Sequence, residues 1–374
     1  LSEVRAVLSL ALLYVFRMLG LFMVLPVLML YGDEYLGSSP QTLGLALGIY
    51  GLTQACFQIP LGLLSDLVGR KSVIIGGLMM FALGSIVAAV ATTVEGLIIG
   101  RALQGSGAIA GATMAMVADL TSEQNRTKAM AVIGASIGLS FSIAMILGPA
   151  IASVNGLEGI FFFSALLAAL GIAIVVLIVP TPQGLARHRD MVATPAMIKK
   201  TVENTELMRL NLGIFVLHCS LMTIFVSLPG VLEQTLNIVR ENHWYFYLPV
   251  LIGAFLAMLP LMLLAEKKRK VRPVFVSAVA LLSGSCGGLI IFSHSLIWLV
   301  VLVFFFFVAF NLLESVLPSL VSKTSPAGTR GTAMGVYSTC QFLGAFVGGT
   351  AGGWLLESFS YQSVFSMACV LTGV

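Results

Sequence analysis

The chain has 374 residues, of which 58% are apolar and only 10% charged, with a net charge of +4. A soluble domain carries about 45–50% apolar and about 25% charged residues, so the polar side chains here cannot cover a globule and the outer surface faces lipid. Long, mostly apolar runs such as Leu97 to Val117, without alternation, exclude a membrane barrel, whose strands alternate over about ten residues, and leave an all-α membrane protein.

The first apolar run, Val4 to Leu30, is too long for a signal-peptide core and lacks a small-residue cleavage site, so it reads as a first span. Charged or turn-rich breaks delimit twelve predicted spans, at 4–30, 41–65, 72–92, 96–118, 127–153, 159–180, 207–232, 244–265, 273–293, 296–321, 331–356 and 361 onward. The last, Tyr361 to Val374, is shorter than the roughly twenty residues a crossing needs. The expectation is a chain that stops inside its twelfth helix.

Four ionisable side chains stand out well inside spans: Arg17 in the first, Arg101 in the fourth, His218 in the seventh and Glu314 in the tenth. An arginine at a helix centre costs roughly 2.5–3.5 kcal/mol on the insertion scale, so each calls for a reason. Glu314 and His218 are candidates for taking up and releasing protons, and Arg17 and Arg101 for a fixed positive charge facing an anionic group or carboxylate. Tyr14, one turn before Arg17, and Asn311, three residues before Glu314, share those helix faces. The alternative for each is a structural polar contact between helices. The five cysteines lie in apolar runs without metal-ligand spacing, and neither a metal nor a cofactor is expected.

The polar stretch 181–206 separates six spans from six, giving an N-terminal bundle at 1–180, a linker at 181–206 and a C-terminal bundle at 207–374. Arg126, Ala129, Met130, Val132, Gly148 and Phe161 recur as Arg330, Ala333, Met334, Val336, Gly352 and Phe365, at a constant shift of 204. Phe22, Leu25 and Pro26 recur as Phe225, Leu228 and Pro229 at a shift of 203, which points to two repeats with a site between them. Glycines four apart, as at Gly44 and Gly48, Gly107 and Gly111, and Gly344, Gly348 and Gly352, let helix backbones approach closely.

Basic residues set the orientation. One side carries Arg5, Arg70, Lys71, Arg126, Lys128, Arg187, Arg189, Lys199, Lys200, Arg209, Lys267, Lys268, Arg269, Lys270, Arg272, Lys323 and Arg330, whereas the other has only Arg240. Both termini are therefore expected in the cytoplasm. The basic loops serve topology and anionic headgroups, and no nucleic-acid partner is needed.

The run Gly62-Leu-Leu-Ser-Asp66-Leu-Val-Gly69-Arg70-Lys71 follows the second span and resembles the loop signature of the major facilitator superfamily, with Leu67 where that family usually has a basic residue. Arg101-Ala-Leu-Gln104-Gly105-Ser-Gly107 is similar to the family's R-x-x-Q-G-x-G element, associated with proton coupling. Gly148-Pro149-Ala-Ile-Ala-Ser is a weakened form of the antiporter element at helix five, where a hinge is expected, and lacks its final glycines.

The resemblance covers essentially the whole chain and is greatest to drug/proton antiporter-like members. It implies two pseudo-symmetric six-helix bundles of a multi-pass protein in the bacterial inner membrane, with helices one, four, seven and ten lining a central cavity. Asp66 would face the positive N-terminus of helix eleven, near Gly331, and Arg70 would bridge Asp66 to Asp119 as a lock between the halves. The function expected is proton-coupled efflux of a small amphiphilic compound by a monomer. The alternatives are a proton symporter or uniporter for a sugar or metabolite, and a non-transporting sensor. No phosphate-binding loop or H-E-x-x-H pair is present, so neither an ATP-driven pump nor an enzyme is expected.

Overall fold

The computed structural model describes residues 2–180, 195–267, 271–326 and 329–373. The basic residues Arg187, Arg189, Lys268, Arg269 and Lys270 lie outside them. Among the described residues the secondary structure is helical, with a single isolated bridge between Leu36 and Thr93.

In chain order the helices are α1 (Ser2–Phe22), α2 (Leu28–Tyr31), α3 (Pro40–Val68), α4 (Arg70–Ala89), α5 (Val94–Ser106), α6 (Ala110–Asp119), α7 (Glu123–Leu177), α8 (Pro195–Glu203), α9 (Thr205–Gly230), α10 (His243–Lys267), α11 (Val271–Phe292), α12 (Leu296–Thr324), α13 (Arg330–Ser358) and α14 (Tyr361–Gly373). Eight described helices are long and apolar enough to cross a bilayer. In hydrocarbon the helix satisfies every backbone group internally, which is why long apolar runs fold this way.

Local signals start and stop these helices. Ser39 caps α3 by accepting from the Thr42 N–H at 3.3 Å, and Thr42 Oγ1 accepts from the Ser39 N–H at 2.8 Å, with Pro40 in the first turn. Asn204 Oδ1 caps α9 by accepting from the N–H groups of Glu206 and Leu207. Gly69 turns the chain between α3 and α4 with φ +97°, a conformation open to glycine and strained for other residues.

The fourth span and the linker need correction. The fourth span is not one continuous helix, because the chain leaves helical geometry over 107–109 between α5 and α6. The break expected between the fifth and sixth, after 153 and before 159, is present, because α7 loses helical angles at Asn155 and Gly156. The linker contains α8, which packs on α9 and α13.

Two large apolar cores, beside a small cluster of Leu21, Tyr50, Phe81 and Ala168, make up the interior of the described residues. One joins both halves at the end that carries Arg240, uniting Met23, Leu28, Leu47, Met145 and Phe161 with Phe225, Leu232, Tyr247 and Phe307, and continues through the C-terminal half to Leu207, Val321 and Ala333. The other, built from Leu10, Val73, Met116, Ile133 and Val175, belongs to the N-terminal half alone and lies toward the Asp66 end. At the shared core the ring of Phe141 meets Phe22 at 5.1 Å, Phe307 at 6.0 Å and Phe225 at 6.2 Å. Phe22 and Phe225, partners in the sequence repeat, thus converge on one residue.

The seam between α3 and α13 follows the same division. A Cβ placed on Gly44 would lie 2.7 Å from the Gly353 Cα, and one on Gly48 would lie 2.7 Å from the Phe346 carbonyl oxygen. Toward the Asp66 end, Gly62 and Gly331 have open space where a Cβ would be. The halves are closed at the Arg240 end and separated at the Asp66 end.

Candidate functional site

The interruption after α5 helps to build the first polar cluster. It frees the Gly107 carbonyl from regular helix bonding, and this oxygen accepts from Arg17 Nη2 at 2.9 Å, while Gln54 Oε1 accepts from the same nitrogen at 3.2 Å. The guanidinium carbon lies 4.2 Å from the centre of the Phe81 ring and 5.6 Å from that of Tyr50. Such contacts stabilise a desolvated cation by up to about 2 kcal/mol each. Tyr14 donates its hydroxyl to the Ala110 carbonyl at 2.9 Å. Leu13, Tyr14, Arg17, Tyr50 and Gln54 line a cavity that Phe342 of α13 closes from the other half.

Arg101 lies deeper than the sequence suggests. It is fully buried, packed against Tyr50 at 4.9 Å, and does not line that cavity. Its Nε donates to the Ala46 carbonyl at 3.2 Å and its Nη1 to Gln104 Oε1 at 2.8 Å, and Gln104 in turn donates to Ser85 Oγ at 2.8 Å. Arg101 and Gln104 therefore pin α5 to α3 and α4. Among the described residues neither Arg17 nor Arg101 forms an ion pair. The positive charge inside this half is balanced by neutral oxygens and ring faces only.

The second cluster lies in the C-terminal half. Gln341 of α13 donates through Nε2 to Glu314 Oε1 at 3.1 Å, and the same nitrogen lies 2.8 Å from His218 Nε2. An amide nitrogen only donates, so His218 Nε2 is the acceptor in this arrangement and the imidazole proton sits on Nδ1. That Nδ1 faces Glu314 Oε2 at 3.8 Å, too long for a hydrogen bond, and the two form a charge pair only when the imidazole is protonated. The Glu314 side chain is 35% exposed as a whole, while its Oε2 is buried and has no hydrogen-bond partner among the described residues. Asn311 is half-buried one turn earlier and has no side-chain hydrogen bond among the described residues.

A third cluster holds the loop motif. Arg70 Nη1 pairs with Asp66 and donates to Ser65 Oγ at 2.7 Å, while Arg70 Nε reaches Asp119 Oδ2 at 3.2 Å. These residues tie α3, α4 and α6 within one half, so the lock between halves expected of this trio is not formed here. Lys71 is half-buried at the start of α4, and Gly62 leaves open space on α3.

At helix five the backbone is continuous at the residues expected to hinge. Gly148 and Pro149 stay helical, and Gly148 brings α7 against the backbone of Met23; the non-helical angles fall at Asn155 and Gly156. Sequence reasoning missed Gln341, Gln54 and Tyr50. Neutral amides inside apolar runs were the available signal, since a buried amide needs partners much as a charge does.

A family model described as Major Facilitator Superfamily matches residues 210–374, and one described as Sugar (and other) transporter matches residues 4–209. The inner membrane transport protein YajR of Escherichia coli is 49% identical, over 100% of this chain and 82% of its own length. The chain belongs to the major facilitator superfamily. Among further superfamily members, the multidrug resistance protein MdtH of Aeromonas hydrophila is 27% identical over 90% of this chain and 84% of its own. The crystal structure of the nucleoside transporter NupG superposes with a TM-score of 0.75 at 15% identity, covering 98% of this chain and 97% of that one. The superfamily assignment makes this a multi-pass inner-membrane transporter of small molecules rather than an enzyme, with the all-α major facilitator fold.

Proposed function

We propose that this transporter exports a small amphiphilic compound in exchange for protons, working as a monomer with both termini in the cytoplasm. The observation that carries the reading is the junction of His218, Gln341 and Glu314, two titratable groups joined by one amide on three different helices of the C-terminal half. Glu314 is the proton carrier and His218 its neighbour across 3.8 Å. Neutralising the carboxylate removes a charge from the membrane field, a change worth about 2.3 kcal/mol per 100 mV. That is comparable to the few kcal/mol separating two states of a bistable protein.

With that orientation, the separated Asp66 end faces the cytoplasm, where substrate enters. In the opposite state, Asp66 meets the N-terminus of α13 and the Arg240 end opens. The relative named a multidrug resistance protein supports export. The match of residues 4–209 to a sugar-transporter model keeps a symporter as the second reading.

Reconstituted vesicles decide between them. Under export by exchange, a substrate gradient drives protons the opposite way across the membrane, whereas a symporter moves both together. Glu314→Gln abolishes proton-coupled flux in either case. Full proton-coupled flux in that variant removes Glu314 from the mechanism.

A further inference from the structure

The outer side of α7 carries a groove that the polar clusters do not use, and it follows from one local break. Asn155 takes φ −128° and Gly156 φ +57°, so the helix turns back on itself and a groove opens between its two arms. Leu147 and Ile151 on one arm and Phe162, Phe163 and Leu166 on the other form its wall, and it holds about 770 Å³. Asn155 and Glu158 stand at its mouth, beside the turn.

We propose that this groove seats an acyl chain of one phospholipid from the leaflet on the Arg240 side, and that Glu158 selects a headgroup carrying a primary ammonium.

The depth of the groove fits this occupant. A helix advances about 1.5 Å per residue, so Leu147 and Leu166 lie about 12–15 Å below the turn, which is the depth of hydrocarbon in one leaflet. The wall belongs to α7 alone, with Phe162 44% and Leu166 53% exposed, so the groove faces lipid and not the seam between the halves. Its volume is that of a ligand site, within the range of about 300–1,000 Å³.

Charge decides the headgroup. Glu158 is exposed, is the only charged residue lining the groove, and pairs with no cation among the described residues. Tyr35, in the turn after α2, lies within electrostatic reach of both Glu158 and Glu34, so a second carboxylate stands nearby. Arg240 is already engaged by Glu233 and the Leu30 carbonyl. A negative mouth above an apolar wall attracts an ammonium and repels an anionic headgroup. Asn155 offers an amide donor to the phosphate of the same headgroup. A free cationic amphiphile carries an ammonium too, but a phospholipid is already aligned with a groove that opens sideways into the bilayer.

The test uses the purified full chain in bilayers of a phosphatidylethanolamine and a phosphatidylglycerol with identical acyl chains, one of the two brominated along them. Trp244, Trp298 and Trp354 are replaced by phenylalanine, and Leu170→Trp, one turn beyond Leu166 and 44% exposed in the wild type, is the reporter. Ile291→Trp, at a lipid-facing position of α11 that is 60% exposed, reports ordinary lipid contact in a second protein. Bromine quenches only nearby indoles, so quenching gives the relative occupancy of the two lipids at each reporter. The expected result at Leu170→Trp is a preference of at least about threefold for the ethanolamine lipid, the size of one exposed ion pair, against parity at Ile291→Trp. Glu158→Gln brings Leu170→Trp to parity as well.

Thermal melts establish that each protein is folded. Where a reporter protein is not, native mass spectrometry of the chain with its own tryptophans decides, because Glu158→Gln should retain one ethanolamine lipid fewer. Parity at Leu170→Trp, a preference for the glycerol lipid, an equal preference at both reporters, or a preference or lipid count unchanged in Glu158→Gln overturns the proposal. So does displacement of both lipids from Leu170→Trp by a brominated alkylamine at low mole fraction, which would make a free cationic amphiphile the occupant. None of these measurements requires transport, so the outcome is independent of the exchange mechanism.

Discussion

Gln341 and Glu314 are joined by a 3.1 Å hydrogen bond from the amide Nε2 to the carboxylate Oε1. The same nitrogen reaches His218, so a single amide from α13 organises both titratable groups. Gln341→Leu leaves these atoms unpaired, at a cost of about 1–3 kcal/mol for each buried group. The expected outcome is a lower melting temperature and proton-coupled flux reduced to that of Glu314→Gln. Unchanged flux would mean that the amide is a bystander.

The glycine seam gives a steric prediction. Gly44→Ala places a methyl group 2.5 Å from the Gly349 carbonyl oxygen, and no side-chain movement relieves a clash with backbone. Overpacking of this kind costs about 1–3 kcal/mol. Because the clash exists only where the Arg240 end is closed, the variant shifts the population toward the opposite state. Spin labels at the exposed positions Leu67 and Arg330, measured in a cysteine-free background, should report a shorter distance. An unaltered distance distribution would show that the seam tolerates the methyl group.

Arg240 fastens the closed end. Its Nε pairs with Glu233 at 2.8 Å, its Nη1 donates to the Leu30 carbonyl of the other half at 3.0 Å, and its guanidinium lies 4.9 Å from the centre of the Tyr31 ring. On the same end Glu357 accepts from Ser39 Oγ at 2.6 Å and from the Gln41 N–H at 2.8 Å, placing a carboxylate at the N-terminus of α3. Arg240→Gln should expose Phe141→Cys to a membrane-impermeant thiol reagent on the Arg240 side several-fold faster. Glu357→Gln should have a smaller effect, because exposed pairs contribute only about 0–1 kcal/mol. Equal labelling rates in all three backgrounds would count against the fastening role of both residues.

The loop motif yields separable effects. Gly69→Ala forces a side chain into a positive-φ conformation and should destabilise the fold by about 1–2 kcal/mol, read as a lower melting temperature. Asp66→Asn removes one carboxylate from Arg70 while leaving Asp119 in contact. Its expected signature is kinetic: cysteine accessibility from the Asp66 side increases because closure of that side is disfavoured. A variant with the wild-type accessibility would leave the motif with a structural role only.

Much of this fold was legible in hydropathy, because a bilayer allows few solutions to the backbone hydrogen-bond problem. The polar break before α9 and the Asn155–Gly156 break both lie where charge or turn residues interrupt apolar runs. The interruption at 107–109 was not legible, since glycines four apart serve equally as packing surfaces and as helix ends. Charge located Arg17, His218 and Glu314 within spans but could not show that Arg101 is walled off behind Tyr50. Gln341 escaped notice because an uncharged residue in an apolar run carries little signal until its partners on α9 and α12 are placed beside it.

The backbone-to-backbone joint of Gly44 and Gly48 with α13 has an entropic consequence. Surfaces without side chains have no rotamers to freeze when they come together and none to release when they part. Opening and resealing that end therefore carries little penalty from side-chain ordering, and the balance is left to contacts such as those of Arg240 and Phe141, which can be strengthened or weakened one residue at a time.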